Sequence, residues 1–131
     1  MGTEGTVVCF ALGGLLFEYD SDKNRKNIEK HGISFKNAAR VFFDYDRIEF
    51  YDETHSEGED RYDTIGDVSA GSLAIIGNLW KDTHGVEDIL FVVYTERTVV
   101  DENGKPNEAI RLISARLATN FERGVYYGKR S

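Results

Sequence analysis

The sequence predicts an α+β fold with two N-terminal helices, a mainly antiparallel β-sheet and a C-terminal helix. Two capped segments with helical spacing come first, strand-like segments joined by turns follow from residue 47 to residue 116, and a capping motif begins at Thr119. Strands that follow one another through short turns favour antiparallel pairing. A length of 131 residues with 40% hydrophobic content is typical of one globular domain.

The first helix is predicted to begin after Asp20, a good N-cap, and to end near His31, because Gly32 suits the left-handed position beyond a helix end. The face expected to point inward is mostly polar, and it carries Asn24, Asn27, Ile28 and His31 at helical spacing. Two interpretations stay open. The face takes part in function, or its asparagines bond to neighbouring backbone and hold the helix in place.

A second helix is predicted after Ser34, which can cap it. Apolar residues then follow at i, i+3, i+4 and i+7, namely Phe35, Ala38, Ala39 and Phe42. This amphipathic stripe indicates a packing helix. The last helix is predicted from the capping box Thr119-Asn120-Phe121-Glu122, with Phe121 and Val125 on one face.

We assign residues 1–16 to an N-terminal extension or an extra strand, and residues 17–131 to a single domain. Residues 7–16 are apolar and are interpreted as a buried strand broken by Gly13 and Gly14. The run is shorter than the roughly 20 residues of a membrane helix. No positive charge precedes it and no small-residue cleavage site follows, so neither a signal peptide nor membrane association is expected.

Strand-like patterns cover five further segments, with a turn expected at 81–88 and another at Asn103-Gly104. The strands are predicted at 47–51, 61–69, 73–80, 89–100 and 110–116. Between the first two lies an acidic segment, 52–60, interpreted as a solvated loop. The alternative is a divalent metal site made of Asp52, Glu53, His55 and Glu57, although these residues lack a regular ligand spacing. We therefore expect no metal and no cofactor.

The net charge of −7 argues against binding nucleic acid over the whole surface, but it hides a gradient. Residues 44–108 contain 17 acidic and 5 basic residues, whereas residues 109–131 contain 1 acidic and 5 basic residues. The C-terminal end is therefore the part suited to a polyanion. Cys9 is the only cysteine, which fits a reducing compartment, and its apolar neighbours indicate a small hydrophobic residue rather than a nucleophile.

Standard nucleotide-binding, serine-hydrolase and zinc motifs are absent, and the candidate chemistry centres on arginine. A guanidinium stays charged and can bind two phosphate oxygens at once. Metal-independent RNA cleavage needs a base, a cation and an acid. The candidate catalytic residues are Arg61, Glu96, Arg97 and Arg116, with RNA binding assigned to Lys23, Lys30, His31, Arg111 and Arg123. The alternative is that the glutamates pair with the arginines across strands.

Several of these segments together resemble one family. The opening F-E-[YW]-D-x-x-K-N-x-x-N-I-x-K-H-G-I-x-F-x-x-A, from Phe17 to Ala38, looks like the start of the BrnT-type toxins. Arg61-x-x-x-Ile65-Gly66, Val92 to Arg97, and Arg111 to Tyr126 are similar to its R-W-x-x-I-G, V-V-Y-T-x-R and R-I-I-S-A-R-x-A-T-x-x-E-R-x-x-Y segments, in the same order. Tyr62 stands where the family usually has tryptophan.

The resemblance implies a compact RelE-like fold and a cytoplasmic endoribonuclease of a type II toxin–antitoxin system that cuts RNA and inhibits translation. It also implies a ribbon-helix-helix antitoxin, BrnA-like, as the partner, with a heterotetramer as a possible assembly. Two acidic additions, at 70–90 and at the hairpin tip 99–108, depart from the family pattern. They favour the alternative, a non-catalytic binding module that pairs with an antitoxin.

Overall fold

The computed structural model describes residues 5–69 and 89–130, and these form one six-stranded sheet with helices on both sides. In chain order the elements are β1 (Val7–Leu12), β2 (Leu15–Asp20), α1 (Ser21–His31), α2 (Phe35–Ala38), a 3-10 helix (Ala39–Phe43), β3 (Ile48–Tyr51), β4 (Arg61–Asp67), β5 (Ile89–Val100), β6 (Pro106–Leu117) and α3 (Asn120–Arg130). The predicted strand at 73–80 and turn at 81–88 lie outside the described residues.

The strands lie in the order β1-β2-β6-β5-β4-β3. Within the described part of the chain, β2 and β6 are parallel and the other neighbouring strands are antiparallel, so the sheet is mixed but mainly antiparallel, as expected. The expectation of two N-terminal helices ahead of the sheet is wrong. Within the described residues a β1–β2 hairpin comes first, and α1 is the only α-helix longer than four residues before the remaining strands.

The N-terminal apolar run is therefore two strands rather than one buried strand. Gly13 and Gly14 have φ of 55° and 85°, conformations that glycine adopts without steric cost, and they form the turn. In β1, which lies at the edge of the sheet, exposed and half-buried residues alternate. An edge strand has one paired neighbour, so its outward residues stay in solvent.

The predicted caps are confirmed. Asp20 accepts hydrogen bonds from the amides of Asp22 and Lys23 at 2.9 and 3.0 Å, and Gly32 ends α1 with φ of 74°. Ser34 caps α2 by accepting from the Asn37 amide. At the start of α3, the Glu122 amide donates to the Thr119 hydroxyl while the Thr119 amide donates to the Glu122 carboxylate, which is the reciprocal capping box.

The predicted packing stripe is buried, but it does not form one regular helix. Phe35, Ala38, Ala39 and Phe42 are all at most 6% exposed. After Ala38 the chain tightens into the 3-10 helix, which lies close against β4. A Cβ atom added at Gly66 of β4 would lie 3.0 Å from the Val41 Cβ, so the absence of a side chain at Gly66 permits this approach.

The polar face of α1 holds the helix to backbone. The Asn27 carboxamide donates to the carbonyls of Ile33 and Ala115, at 2.9 and 2.8 Å, and accepts from the Ala115 amide at 3.2 Å. Asn24 accepts from the Phe35 amide at 2.8 Å. Ile28 does not join them, because its side chain is 43% exposed. Of the two interpretations of this face, the structural one is confirmed for both asparagines.

On the other side of the sheet, α3 covers one end. Tyr126 is buried against Ile65 and Ile89, and its hydroxyl donates to Asp44 at 2.6 Å. Asp44 also accepts from the Asp67 amide at 2.9 Å, so this buried carboxylate ties α3 to β4. None of the described helices is long and apolar enough to span a bilayer.

We expect Asn27→Ala to lower the free energy of unfolding by about 3 kcal/mol, because three buried backbone groups lose their partner. Urea unfolding followed by circular dichroism measures this. Asn37→Ala, at an exposed position of α2, is the matched control and should change stability little. An Asn27→Ala variant as stable as the control would contradict the role of the carboxamide.

Candidate active site

Side chains from three neighbouring strands meet on the sheet face that the N-terminal helices leave open. The antiparallel register sets Asp63 opposite Val93, Val93 opposite Ser114, and Phe91 opposite Arg116, and directly paired residues share a face. Together with the loop after β3 they surround a cleft of about 380 Å³. It is lined by Asp52, His55, Arg61, Asp63, Phe91, Val93, Ile113, Ser114 and Arg116.

A β-bulge helps build this cleft. The pairing of β5 with β6 shifts between Val93 and Tyr94, which leaves Ile113 as an extra residue on β6. Ile113 and Ser114 both line the cleft as a result, while Leu112 and Ala115 are buried in the core on the other side. The bulge also places Arg116 on the same face as Arg111, although strict alternation would separate them.

Asp63 lines the cleft and is 5% exposed. Burial, followed by a hydrogen bond with Asp52 and the charge of that neighbour, raises the pKa of Asp63 to about 7. Its Oδ1 atom is buried and has no hydrogen-bond partner among the described residues. A buried carboxyl that titrates near neutral pH and keeps one oxygen unsatisfied is typical of a functional site rather than a scaffold position.

Asp52 and His55 form a pair at the rim. The His55 Nδ1 atom lies 3.1 Å from both Asp52 carboxylate oxygens, and the His55 amide donates to Asp52 Oδ1. Burial opposes ionisation of Asp52, but the hydrogen bonds from His55 and Asp63 outweigh it and hold the pKa of Asp52 below its usual range. The interpretation of 52–60 as a solvated loop is therefore wrong at Asp52, which is 9% exposed.

Ser56 fixes the loop beside the sheet. Its hydroxyl donates to the Asp52 carbonyl at 2.6 Å and accepts from the Arg61 amide at 3.0 Å. This closes the loop across the start of β4. The Asp52–His55 pair consequently lies next to Arg61 and Asp63, two residues apart on one face of β4.

The structure brings Arg61 and Arg116 together at the cleft. Arg61 Nε is buried without a hydrogen-bond partner among the described residues, and its Nη2 lies 3.7 Å from a Glu59 oxygen. Arg116 stacks over the Phe91 ring at 4.2 Å and forms two hydrogen bonds with Glu122, at 2.8 and 3.0 Å. This pairing raises the pKa of Arg116 and lowers that of Glu122.

The other two predicted catalytic residues lie elsewhere. Glu96 pairs with Ile110 and shares the parity of the buried Tyr94 on β5, so its side chain belongs to the opposite face of the sheet. Arg97 has the parity of the cleft face, but it is further along β5 and binds Glu59 at 3.0 Å. Neither residue lines the cleft.

The residues predicted to bind RNA are distributed over three elements. Arg111 lies on the cleft face, but its guanidinium is bound to the nearly buried Glu18 at 3.0 Å. Lys23, Lys30 and His31 belong to α1, and Arg123 belongs to α3. None of the five lines the cleft, so the single positive face expected from the sequence is not formed by all of these residues.

Sequence reasoning missed Asp63 and Ser114 and considered Asp52 and His55 only as metal ligands. The period-2 spacing of Arg61 with Asp63 was a usable signal, because it places both on one side of a strand. For Asp52 and His55, which lie in the loop, the sequence contains no comparable periodic signal. The residues weighed as a metal site, Asp52, Glu53, His55 and Glu57, do not form one: nowhere in the described ranges do three His, Cys, Asp or Glu side chains group in a way that could hold a metal ion.

The raised pKa of Asp63 makes stability depend on pH with a defined sign. In the unfolded chain Asp63 loses its proton near pH 3.8, its usual pKa, whereas in the folded chain it keeps the proton up to a pH of about 7. Between these values the folded state binds more protons, so its stability falls as pH rises. We expect Asp63→Asn to become progressively more stable relative to the unsubstituted protein from pH about 4 to about 7, with a constant difference above that.

Urea unfolding of both proteins across this pH range measures the difference. Glu53→Gln, an exposed carboxylate of the neighbouring loop, is the control and should show no such trend. A difference between Asp63→Asn and the unsubstituted protein that does not change with pH would contradict the assignment.

Comparison with known families gives a match. The family model described as "Ribonuclease toxin, BrnT, of type II toxin-antitoxin system" matches residues 19–122, most of the chain. No curated protein matches the sequence significantly. The matched range includes the end of β2, α1, the four strands from β3 to β6 and every residue that lines the cleft.

Proposed function

This chain belongs to the family of BrnT ribonuclease toxins of type II toxin–antitoxin systems, and we propose that it cuts RNA in the cleft between β4, β6 and the loop after β3. One observation supports this most strongly. A buried cationic nitrogen, Arg61 Nε, and a buried carboxyl oxygen, Asp63 Oδ1, both without a partner among the described residues, line the same cleft as the Asp52–His55 pair. An RNA phosphodiester offers partners to both.

The chemistry proposed is attack of the ribose 2′-oxygen on the adjacent phosphorus. The base removes the 2′-hydroxyl proton, the new P–O bond closes a 2′,3′-cyclic phosphate, and the bond to the 5′-oxygen breaks as that oxygen takes a proton. Such a step needs a base, a proton donor and cations for the pentavalent intermediate. The cleft contains residue types for all three roles.

His55 is assigned as the base. Its Nδ1 faces the Asp52 carboxylate, so the Nδ1–H tautomer leaves the Nε2 lone pair available for the 2′-hydroxyl proton. Asp63 is assigned as the acid, because a carboxyl with a pKa of about 7 still holds its proton near neutral pH.

Arg61 and Arg116 are assigned to the phosphate. Arg61 has an unsatisfied nitrogen in the cleft, whereas Arg116 is held flat by Phe91 below and Glu122 at its side. A guanidinium has five N–H donors, so Arg116 can keep its contacts with Glu122 and still donate to a phosphate oxygen. Holding the fork in advance lowers the entropy lost when the phosphate binds.

The finer properties expected from the sequence belong to this proposal. They are endonucleolytic cleavage without a metal, inhibition of translation in the cytoplasm, and neutralisation by a ribbon-helix-helix antitoxin, with a heterotetramer as the assembly. The family supports an RNA target and an antitoxin partner in general.

Cleavage of a long single-stranded RNA in EDTA tests the site. We expect Asp63→Asn to lower the rate by about 100-fold or more, as loss of a general acid does, and Arg61→Ala to lower it by about 100-fold through lost charge stabilisation. Products should end in 2′,3′-cyclic phosphate, and RNA with 2′-deoxyribose at the cut site should stay intact.

Glu96→Gln is the matched control, since this carboxylate lies on the other face of the sheet and is one of the candidate catalytic residues predicted from the sequence. Full activity in Glu96→Gln, with loss in Asp63→Asn, supports the cleft. The reverse result would move the active site to the end of the β5–β6 hairpin and overturn the assignment of the cleft.

The pH profile of cleavage gives an independent test. Because Asp63 donates a proton only in its protonated form, the rate should fall as pH rises through about 7. In Asp63→Asn this descending limb should disappear along with most of the activity. If the rate of the variant fell at the same pH as before, a group other than Asp63 would be responsible for the descending limb.

A second function has its own support. The other arginines of the cleft face are bound to acidic side chains, Arg97 to Glu59, Arg111 to Glu18 and Arg116 to Glu122. This neutralisation, with a net charge of −7, favours a non-catalytic module that only pairs with an antitoxin. Complex formation with a ribbon-helix-helix antitoxin, combined with intact RNA in the cleavage assay and normal growth on expression, would identify that module.

A further inference from the structure

Among the residues that the structure describes, β1 is an outer strand without the protection that edge strands usually carry. Its sequence, VVCFAL, contains neither a charged residue nor proline. Its pairing with β2 runs without a register shift from Val7 opposite Asp20 to Leu12 opposite Leu15, so no bulge interrupts it. Natural proteins generally block such an edge with lysine, proline or a bulge, because its unpaired backbone groups can bind another strand.

The direction of the free backbone groups follows from one hydrogen bond. The Ser21 amide donates to the Thr6 carbonyl at 2.8 Å, and successive residues of an antiparallel strand alternate in direction. Val8, Phe10 and Leu12 therefore bond to β2. The amides and carbonyls of Val7, Cys9 and Ala11 point away from the sheet.

Side chains follow the same alternation. Val8, Phe10 and Leu12 pack against the core cluster, whereas Val7, Cys9 and Ala11 are exposed, with Val7 50% exposed. A strand added to this edge would thus bring apolar side chains together on both faces of the sheet. Neither face would place like charges opposite one another.

We propose that a second copy of this chain pairs with β1, antiparallel, about a two-fold axis at Cys9. The two sheets continue into each other only if paired residues face the same side, and the register that uses every outward group sets Cys9 opposite Cys9 and Val7 opposite Ala11 of the other copy. In this register the three outward amides of each copy donate to the three outward carbonyls of the other. A shift by one residue would set the core face of one sheet against the open face of the other.

Two observations favour a second copy over the antitoxin as the occupant. The strand is uncharged, so it offers no charge complementarity to a charged partner. It also precedes the range matched by the family, which begins at residue 19, whereas an antitoxin surface common to the family is expected inside that range. This inference does not depend on the proposed ribonuclease activity.

Sedimentation velocity of the full chain, purified without an antitoxin and with Cys9 reduced, tests the proposal. We expect a mass of two chains that dissociates on dilution. In Ala11→Pro, where the lost N–H points outward and the β1–β2 ladder stays intact, the mass should fall to one chain. Ala11→Val keeps the N–H and should remain a dimer, and Ala11→Lys, a second disruptive variant, should be monomeric.

Cross-linking gives a second measurement. Cys9 is the only cysteine, so oxidation with diamide, which takes up the two thiol protons and two electrons, can only join Cys9 to Cys9. The Cα separation of about 5.5 Å in a hydrogen-bonded pair permits a disulfide. Rapid cross-linking that Ala11→Pro abolishes supports the axis. Three results would overturn the proposal. They are a monomer at every concentration, a dimer that persists in both disruptive variants, and β1 amides that become protected from hydrogen exchange only after antitoxin is added.

Discussion

The arrangement of α1 on the sheet depends on one side-chain amide. Among the described residues, β2 pairs with β6 only through Phe17 and Glu18, so the edge of β6 beyond Arg111 has no neighbouring strand there. Asn27 takes that place, because its carboxamide offers the same donor and acceptor as a peptide group and bonds to both polar groups of Ala115. Without it, a buried strand edge would lie against a helix with its hydrogen bonds unmade.

The same stretch of β6 builds the cleft on the opposite face. Ala115 is fixed from the edge by Asn27, and the bulge at Ile113 turns Ser114 and Arg116 towards β4. Bulges often lie beside functional sites because they change the direction of a side chain at the cost of one unpaired residue. This segment of β6 therefore contributes to both the core and the cleft. Leu112 and Ala115 are buried in the core, whereas Ile113, Ser114 and Arg116 line the cleft.

Acidic side chains control the charge of this surface. Glu18, Glu59 and Glu122 each bind an arginine of the cleft face, and Asp63 is kept from ionising by burial and by Asp52. The cleft therefore combines few net positive charges with several hydrogen-bonding groups held in fixed positions. In the proposed function, such a site would recognise phosphate by geometry more than by long-range attraction, which fits a chain whose net charge is −7.

The amino-acid sequence by itself determined the local features: the caps at Asp20, Ser34 and Thr119, the buried stripe of the second helix, and the bounds of β5. Each depends on residues within a few positions, so capping chemistry and periodicity suffice to predict it. The family resemblance also came from the sequence, since its motifs are local. The sequence also predicted Arg61 and Arg116 as members of one catalytic site. That prediction came from the chemistry of arginine and not from the geometry of the fold.

Tertiary structure alone decided which polar residues share a site. The bulge at Ile113 reversed the face that alternation would give Arg116, and the fold of the loop brought Asp52 and His55 to Asp63, a contact between segments with no common periodicity. Burial in the folded chain, together with the hydrogen bond and the charge of Asp52, raised the pKa of Asp63. Strand register and the exclusion of solvent depend on residues far apart in the chain. A sequence pattern that repeats over a few residues therefore cannot predict them.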